Sequence, residues 1–456
     1  MRTATHSLYA PVQATPRVAP LWATVFVAFA CLYLFTAQRG VSWQDSGMFQ
    51  WRILAGDYKG ELGLALSHPL YIGMGRAAGA LNIGDFAWRL NALSGIGMAL
   101  AIANLAGAVC ALTNRRWVAA VVAVTVGLAH TAWWLGTIAE VYTWTAAGLA
   151  AEMWLMISLI RRPARGKLAA LALISGLGWS IHNFALLPLP VYIVLAVWMI
   201  WGRRQLRPSA LALAAGAYII GASPYLVMIA QEAAELGFIA AVKSALFGRY
   251  AQQVLAVAPT GGMLKVNMAL SAMNFVNMLI PLAVFGWWRL RRQGKAMAAA
   301  IAAVTAIELV FFVRYPVPDQ FTFILPSLMM IGLGAGLGLS ELANRVPARV
   351  LAPLCLLLAL LQPGVYAMAP GLVHRLGLTP SREVERPFRD ETSYWLVPWK
   401  HHETSAQRFA EAALTQAKPG DVIVADSTSL HPLLLVQRLH SLGEDVIISD
   451  TRSAAE

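Results

Sequence analysis

LAALALISGLGWSIHNFALLPLPVYIVLAVWMIWG, residues 168–202, is an apolar stretch without a single Asp, Glu, Lys or Arg. It reads either as one long tilted helix or as two short helices that turn near His182 and Asn183. Arg161, Arg162, Arg165 and Lys167 precede it, and Arg203, Arg204 and Arg207 follow it. Loops kept on the cytoplasmic side of a membrane carry the excess of Lys and Arg, and two spans return the chain to the side it left. With two spans, Arg115/Arg116, Arg289/Arg291/Arg292/Lys295 and Arg345/Arg349 also fall on that side, together with Arg2 and Arg17. With one span, every later cluster is inverted.

Outward from this stretch, apolar runs of about 20 residues recur, each long enough to cross a hydrocarbon layer of about 30 Å. They fall near residues 20–38, 89–113, 117–136, 141–160, 168–182, 184–202, 208–230, 267–288, 296–314, 322–343 and 350–369. The expected fold is an all-α polytopic membrane protein of about eleven spans. Of the 456 residues, 58% are hydrophobic and 13% charged, about half the charged share of a soluble protein, which excludes a soluble enzyme. The formal charge of +12 divides unevenly: residues 1–370 carry 26 Lys/Arg against 11 Asp/Glu, and residues 371–456 carry 9 against 12. The excess belongs to the membrane part, so the lipid bilayer and not nucleic acid is the implied partner. Cys31, Cys110 and Cys355 all lie in apolar runs, where thiols pack as small hydrophobes, and no disulfide is expected.

This topology divides the chain into a cytoplasmic N-terminal tail at 1–19, a transmembrane region at 20–370 with a long outer loop at 39–88, and an extracytoplasmic tail at 371–456. A plasma or bacterial inner membrane suits it, with the N-terminus inside and the C-terminus outside. The loop is far longer than usual connections, and such lengths are commonly functional. GMFQWRILA (47–55) and HPLYIGMGRAAGAL (68–81) have helical spacing and suit helices lying in the interface. In the tail, helical patterning at 404–417 and 428–441 alternates with the strand-like DVIVAD (421–426) and DVIIS (445–449). A helix between two strands favours parallel pairing. Two strands make a marginal sheet, so this small α/β unit must lean on the outer loops or a partner, with Ser427 or Thr428 placed to cap its second helix.

Chemistry is then expected on the outer face. Asp45, in VSWQDSGMFQW, follows the first span; it suits a helix N-cap, a role that can coexist with that of a base at the membrane surface. Glu140, in TIAEVYT, and Asp319, in VPDQF, sit in outer turns and divide in the same way between capping and chemistry. His68 and Tyr71, in SHPLY, are candidates to hold a substrate. Arg89, Arg249, Lys265 and Arg314 are the outer cations that suit a phosphate, or that snorkel toward headgroups. Glu152 and Glu308 fall inside spans, where carboxylates are costly. His401, His402 and Glu403 are adjacent without metal-ligand spacing, and no metal site is expected.

WQDSG (43–47), SHPLY (67–71), DFAWRLNALS (85–94), TIAEVYT (137–143), SIHNFALLPLP (180–190), VPDQFTFILPS (317–327) and RDETSYWLVPWK (389–400) together resemble one family. They are similar to the GT-C-type polytopic glycosyltransferases, specifically the family that includes a eukaryotic protein O-mannosyltransferase. Its longer His-Pro-Pro-Gly-Tyr-Pro-Leu-Tyr run is shortened here to His68-Pro69-Leu70-Tyr71. The resemblance implies transfer of a sugar from a polyprenyl-phosphate carrier to an acceptor protein or glycan, with inversion, at the non-cytoplasmic face. Asp45 matches the catalytic carboxylate. The lipid-linked sugar is the implied co-substrate, and a divalent ion is left open. One carboxylate suffices on chemical grounds: a glycosidase must protonate its leaving alkoxide, whereas a lipid phosphate leaves as a stabilised anion. Two rival classes share the pattern. One is a secondary transporter built on Glu152 and Glu308; the other is a non-catalytic assembly subunit whose working part is the tail.

Overall fold

The computed structural model describes residues 18–256, 261–377 and 386–451; Arg2 and Arg17 lie outside them. The chain opens with α1 (Val18–Thr36), and two short helices follow in the long loop, α2 (Gln44–Ala55) and α3 (Pro69–Gly79). Next come α4 (Phe86–Thr113), α5 (Arg116–Gly127), α6 (His130–Leu135), α7 (Tyr142–Arg161), α8 (Arg165–Ile181) and α9 (Leu189–Val197). After α10 (Ser209–Leu236) the chain forms three short helices, α11 (Phe238–Phe247), α12 (Ala251–Leu255) and α13 (Gly261–Ala272). The bundle is completed by α14 (Leu279–Arg289), α15 (Lys295–Arg314), α16 (Ile324–Leu342), α17 (Ala348–Leu360) and α18 (Gln362–Arg375). The tail holds α19 (Glu391–Leu396), α20 (Ser405–Gln416), β1 (Val422–Ala425), α21 (Leu430–His440) and β2 (Ile447–Asp450).

The stretch at 168–202 is two helical segments, as the charge pattern requires. α8 ends at Ile181, His182 is extended, and helical structure resumes over Asn183–Gly202. Eight helices among the described residues are long and apolar enough to cross a membrane, nine if one bent pair counts as a span. The expected run at 117–136 is divided into α5 and α6, because Asn274 Oδ1 accepts the Thr131 N–H at 2.8 Å, a proton that a continuous helix gives to its own carbonyl. The run at 267–288 is bent by 82° between Gly261–Phe275 and Leu279–Gln293. Here Asn side chains replace broken backbone bonds: Asn277 Oδ1 accepts from Leu279 N at 2.9 Å, and Asn274 Nδ2 donates to the Ser271 carbonyl at 3.0 Å. α8, with 17 residues, spans about 25 Å at the helical rise.

α16 is buried from Ile324 to Leu339 and forms the centre of the bundle, with α4, α5, α7, α14 and α15 around it. Close helix contact without a hydrophobic drive from surrounding lipid needs small residues. Gly176 of α8 meets α10 so closely that a Cβ there would stand 2.2 Å from the Tyr218 carbonyl oxygen. The basic clusters gather at one end of the bundle. Arg161 reaches the Ala111 and Leu112 carbonyls and, at 3.4 Å, Gln293, while Arg115 bonds Asn344. Glu341 pairs there with Arg289 and Arg292.

The tail rests on the first loop. β1 and β2 are parallel, Val422 opposite Ile447 and Ala425 opposite Asp450, with α21 as the crossover. The cap of α21 differs from expectation: Ser429 occupies it without a side-chain cap bond, and Asp426 Oδ1 instead receives the Thr428 and Ser429 amides. α21 packs on α2. Trp43 Nε1 donates to Ser405 Oγ at 2.8 Å, Gln44 N to the Thr428 carbonyl at 3.3 Å, and Lys400 N to the Thr36 carbonyl at 2.8 Å. All three cysteines are free, Cys31 exposed and the other two buried.

Candidate active site

Asp45 sits in the first turn of α2 and does not cap it. The cap position is Trp43, without a side-chain bond, and Gln44 takes a left-handed conformation with φ of 54°. A non-glycine residue held there costs energy and persists because its surroundings impose it; Gln44 N is pinned by the Thr428 carbonyl. The result aims the Asp45 carboxyl into a cavity of about 260 Å³. Asp319, His182 and the rings of Tyr142 and Tyr315 share the lining, and Phe184, Phe311 and Phe323 complete an aromatic wall. Those rings lock edge to face: Phe184 and Phe311 have centroids 4.8 Å apart at 75°, and Tyr315 and Phe323 4.9 Å apart at 75°. Such pairs add stability beyond area alone and make the wall rigid.

Three carboxyls gather here. Asp45 is exposed into the cavity but walled in by protein, and the loss of bulk water raises its pKa. Asp319 is raised by burial and then by the Asp45 charge, opposed by its own backbone and Thr322. Glu140 is buried behind Asp45 and is raised well above the usual range by burial, then by Asp45; the Ser46 hydroxyl opposes this and Asp319 adds to it. Ser46 Oγ donates to Glu140 Oε1 at 3.0 Å. Neither Glu140 nor Asp319 acts as a side-chain cap. Crowding of like charges in a desolvated site is how carboxyl pKa values move toward neutrality.

Of the four cations suggested by sequence, Arg314 lies against the cavity wall. Its Nη1 donates to the Val254 carbonyl at 2.6 Å and the Ala256 carbonyl at 2.8 Å, and its guanidinium stands 5.0 Å from the Phe311 ring; Val254 and Phe311 line the cavity. Arg249 and Lys265 are exposed and are not among its walls. Arg89 bonds the Leu81 carbonyl and packs over Phe86, outside the lining. Tyr71 is fully buried with its hydroxyl 3.3 Å from Ser94 Oγ, also outside it. His68 is buried one layer back: its Nδ1 meets the Ile181 carbonyl at 2.8 Å, and its ring stacks on His182 at 5.1 Å. Burial, His182 and the Arg52 charge hold it well below the usual histidine range, that is, neutral.

Glu152 and Glu308 meet at a separate cavity of about 10 Å³, room for no more than a water molecule, and Tyr192 donates to Glu152 at 2.9 Å. Glu403 accepts from Ser405, and no group of three or more His, Cys, Asp or Glu among the described residues is arranged to hold a metal ion. Two features escape single-residue reading. The aromatic wall takes Tyr142, Phe184 and Phe323 from TIAEVYT, SIHNFALLPLP and VPDQFTF, whose order along the chain was the available signal, and adds Phe311 and Tyr315 from the end of α15 and the residue after it. The other is a buried cationic knot in RDETSYWLVPWK. Arg389 bonds Glu391 and lies 4.3 Å over Tyr394, and Lys400 Nζ lies 4.5 Å over the same ring.

The fold is shared with a solved membrane protein. It is similar to ArnT from Cupriavidus metallidurans in two crystal structures. The first, bound to undecaprenyl phosphate, gives a TM-score of 0.61 at 15% identity over 95% of this chain and 90% of that one. The second, in the apo state, gives 0.60 at 14% over 96% and 90%. Residues 64–205 match the family model described as Protein O-mannosyl-transferase TMEM260 N-terminal domain. No curated protein matches the chain.

Proposed function

We propose that this protein transfers a sugar, mannose by its family match, from a polyprenyl-phosphate carrier to an acceptor hydroxyl, with inversion and with Asp45 as general base. The carrying observation is the Asp45 carboxylate set, beside Asp319 and His182, into a cavity whose walls are mostly aromatic and aliphatic side chains. The wall suits an isoprenoid, and undecaprenyl phosphate is what the similar ArnT structure holds. Asp45 removes the hydroxyl proton as the oxygen attacks the anomeric carbon; the C–O bond to phosphate breaks on the opposite face and the phosphate departs with the electron pair. A base raised toward working pH is well matched to that task. Asp319 and Glu140 tune Asp45 by charge, and Arg314, gripping the cavity's edge, steadies the departing phosphate's side. His68 and Tyr71 support the wall from behind.

On this reading the catalytic end faces out of the cytoplasm, the loop at 39–88 and the tail at 371–456 are extracytoplasmic, and the acceptor is a Ser or Thr hydroxyl of an exported protein. The test is incubation of purified protein with polyprenyl-phosphate mannose and an acceptor peptide, following release of lipid phosphate. Asp45→Asn should fold and insert normally and lose about 10²–10⁴-fold in rate, the usual worth of a general base. Full activity in that variant refutes the assignment.

A further inference from the structure

His182 ends α8, and its side chain carries a tautomer that the backbone dictates. Phe184 N–H donates to His182 Nδ1 at 3.1 Å. A nitrogen that accepts from an amide has its lone pair there, so the proton of the neutral ring is on Nε2. Burial pulls the ring's pKa down to about 3, and it does not ionise near neutral pH. Three neighbours fix its orientation: His68 stacked at 5.1 Å, Phe184 edge-on at 4.4 Å and Tyr142 at 5.2 Å. The ring lines the cavity that holds Asp45 and Asp319, and Nε2 has no protein partner among the described residues.

We infer that His182 Nε2–H is the fixed, neutral hydrogen-bond donor to a non-bridging phosphate oxygen of the lipid-linked sugar; this rests on the lipid-donor reading above. A neutral donor suits this position. A lysine or imidazolium beside Asp45 would stabilise its carboxylate and weaken it as a base, whereas an oriented N–H strengthens its bond to phosphate as charge develops on the leaving group. His182 takes up no proton in this role; it gives direction to the phosphate and leaves proton removal to Asp45.

Asn and Gln separate the two nitrogens. His182→Asn places an amide oxygen where Nδ1 accepts from Phe184 and supplies nothing at Nε2, while His182→Gln places an amide N–H near Nε2. With undecaprenyl phosphate as the probe and undecaprenol, which lacks the phosphate, as the control, His182→Asn should bind the phosphate about tenfold more weakly with an unchanged melting temperature. Binding of undecaprenol should not change, and His182→Gln should recover most of the phosphate affinity. Wild-type affinity in His182→Asn overturns the inference, as does an equal loss in both variants accompanied by a lowered melting temperature, which marks a purely structural histidine. Asp45→Asn should bind the phosphate normally while losing transfer. If the native protein binds no undecaprenyl phosphate, the lipid-donor reading falls and this inference with it; if it binds and His182→Asn binds equally, this inference falls alone.

Discussion

At the residue scale the site is governed by charge repulsion in a dry place. Burial raises the Asp45 pKa, and burial followed by the Asp45 charge raises that of Asp319; repulsion between two carboxylates acts on both partners. A base works only when deprotonated, so the wild-type transfer rate should fall as pH drops through the ionisation of this pair. Removing a negative neighbour favours the charged form of the group that remains. Asp319→Asn is therefore expected to lower the Asp45 pKa and carry the acidic limb of the rate profile to lower pH, measured as initial rate against pH with saturating donor. A limb unmoved by Asp319→Asn shows that Asp45 does not feel that charge. The same substitution makes Asp45 a weaker base, so the rate on the plateau should decline modestly while the limb shifts. Asp45 itself was visible in the sequence through WQDSG, whereas His182 read only as a turn residue. Its tautomer depends on one backbone amide two positions later, a three-dimensional fact that no pattern of residue types encodes.

Among the elements, hydropathy located what is long and apolar and failed where polar side chains stand in for backbone bonds. The loop helices α2 and α3, the turn at His182 and the parallel pair β1 and β2 follow from periodicity and charge. The run at 267–288 has the composition of a span, but Asn274 and Asn277 cap the broken ends of its two halves, and hydropathy sums do not register a hydrogen bond. Asn274 is fully buried. Its amide serves Thr131 N at 2.8 Å, Thr131 Oγ1 at 2.9 Å and the Ser271 carbonyl at 3.0 Å. Asn274→Leu keeps the volume and strands those partners, each a buried group whose desolvation goes uncompensated. A loss of about 1–3 kcal/mol is expected, read as a lowered melting temperature in detergent micelles. An unchanged melting temperature means that the bend is held by packing alone.

Considered whole, the molecule joins a membrane bundle to an α/β tail through a buried cationic knot. Lys400 is 2% exposed, and burial lowers its pKa from 10.5 to about 7, with Glu403 opposing the shift and Arg389 adding to it. Between those two pH values the unfolded chain holds a proton that the folded chain does not, so stability rises with pH across that window. Lys400→Met should flatten the rise of melting temperature from pH 7 to 10. A slope equal to that of the wild type places the titration elsewhere. The larger asymmetry is between the ends of the bundle: the Arg-rich turns meet at one, and Asp45, Glu140 and Asp319 at the other. Positive turns favour the cytoplasm, so the orientation we propose places the Arg-rich end there and rests on the sum of all clusters, not on any single span. With Cys31, Cys110 and Cys355 replaced by Ser, a cysteine introduced as Tyr58→Cys in the loop beside the site should react with a membrane-impermeant maleimide in intact cells. One introduced as Arg204→Cys at the opposite end should react only after the membrane is opened. The reverse pattern puts the carboxylates in the cytoplasm, where a sugar donor presented on the outer leaflet cannot reach Asp45, and the proposed reaction is then excluded.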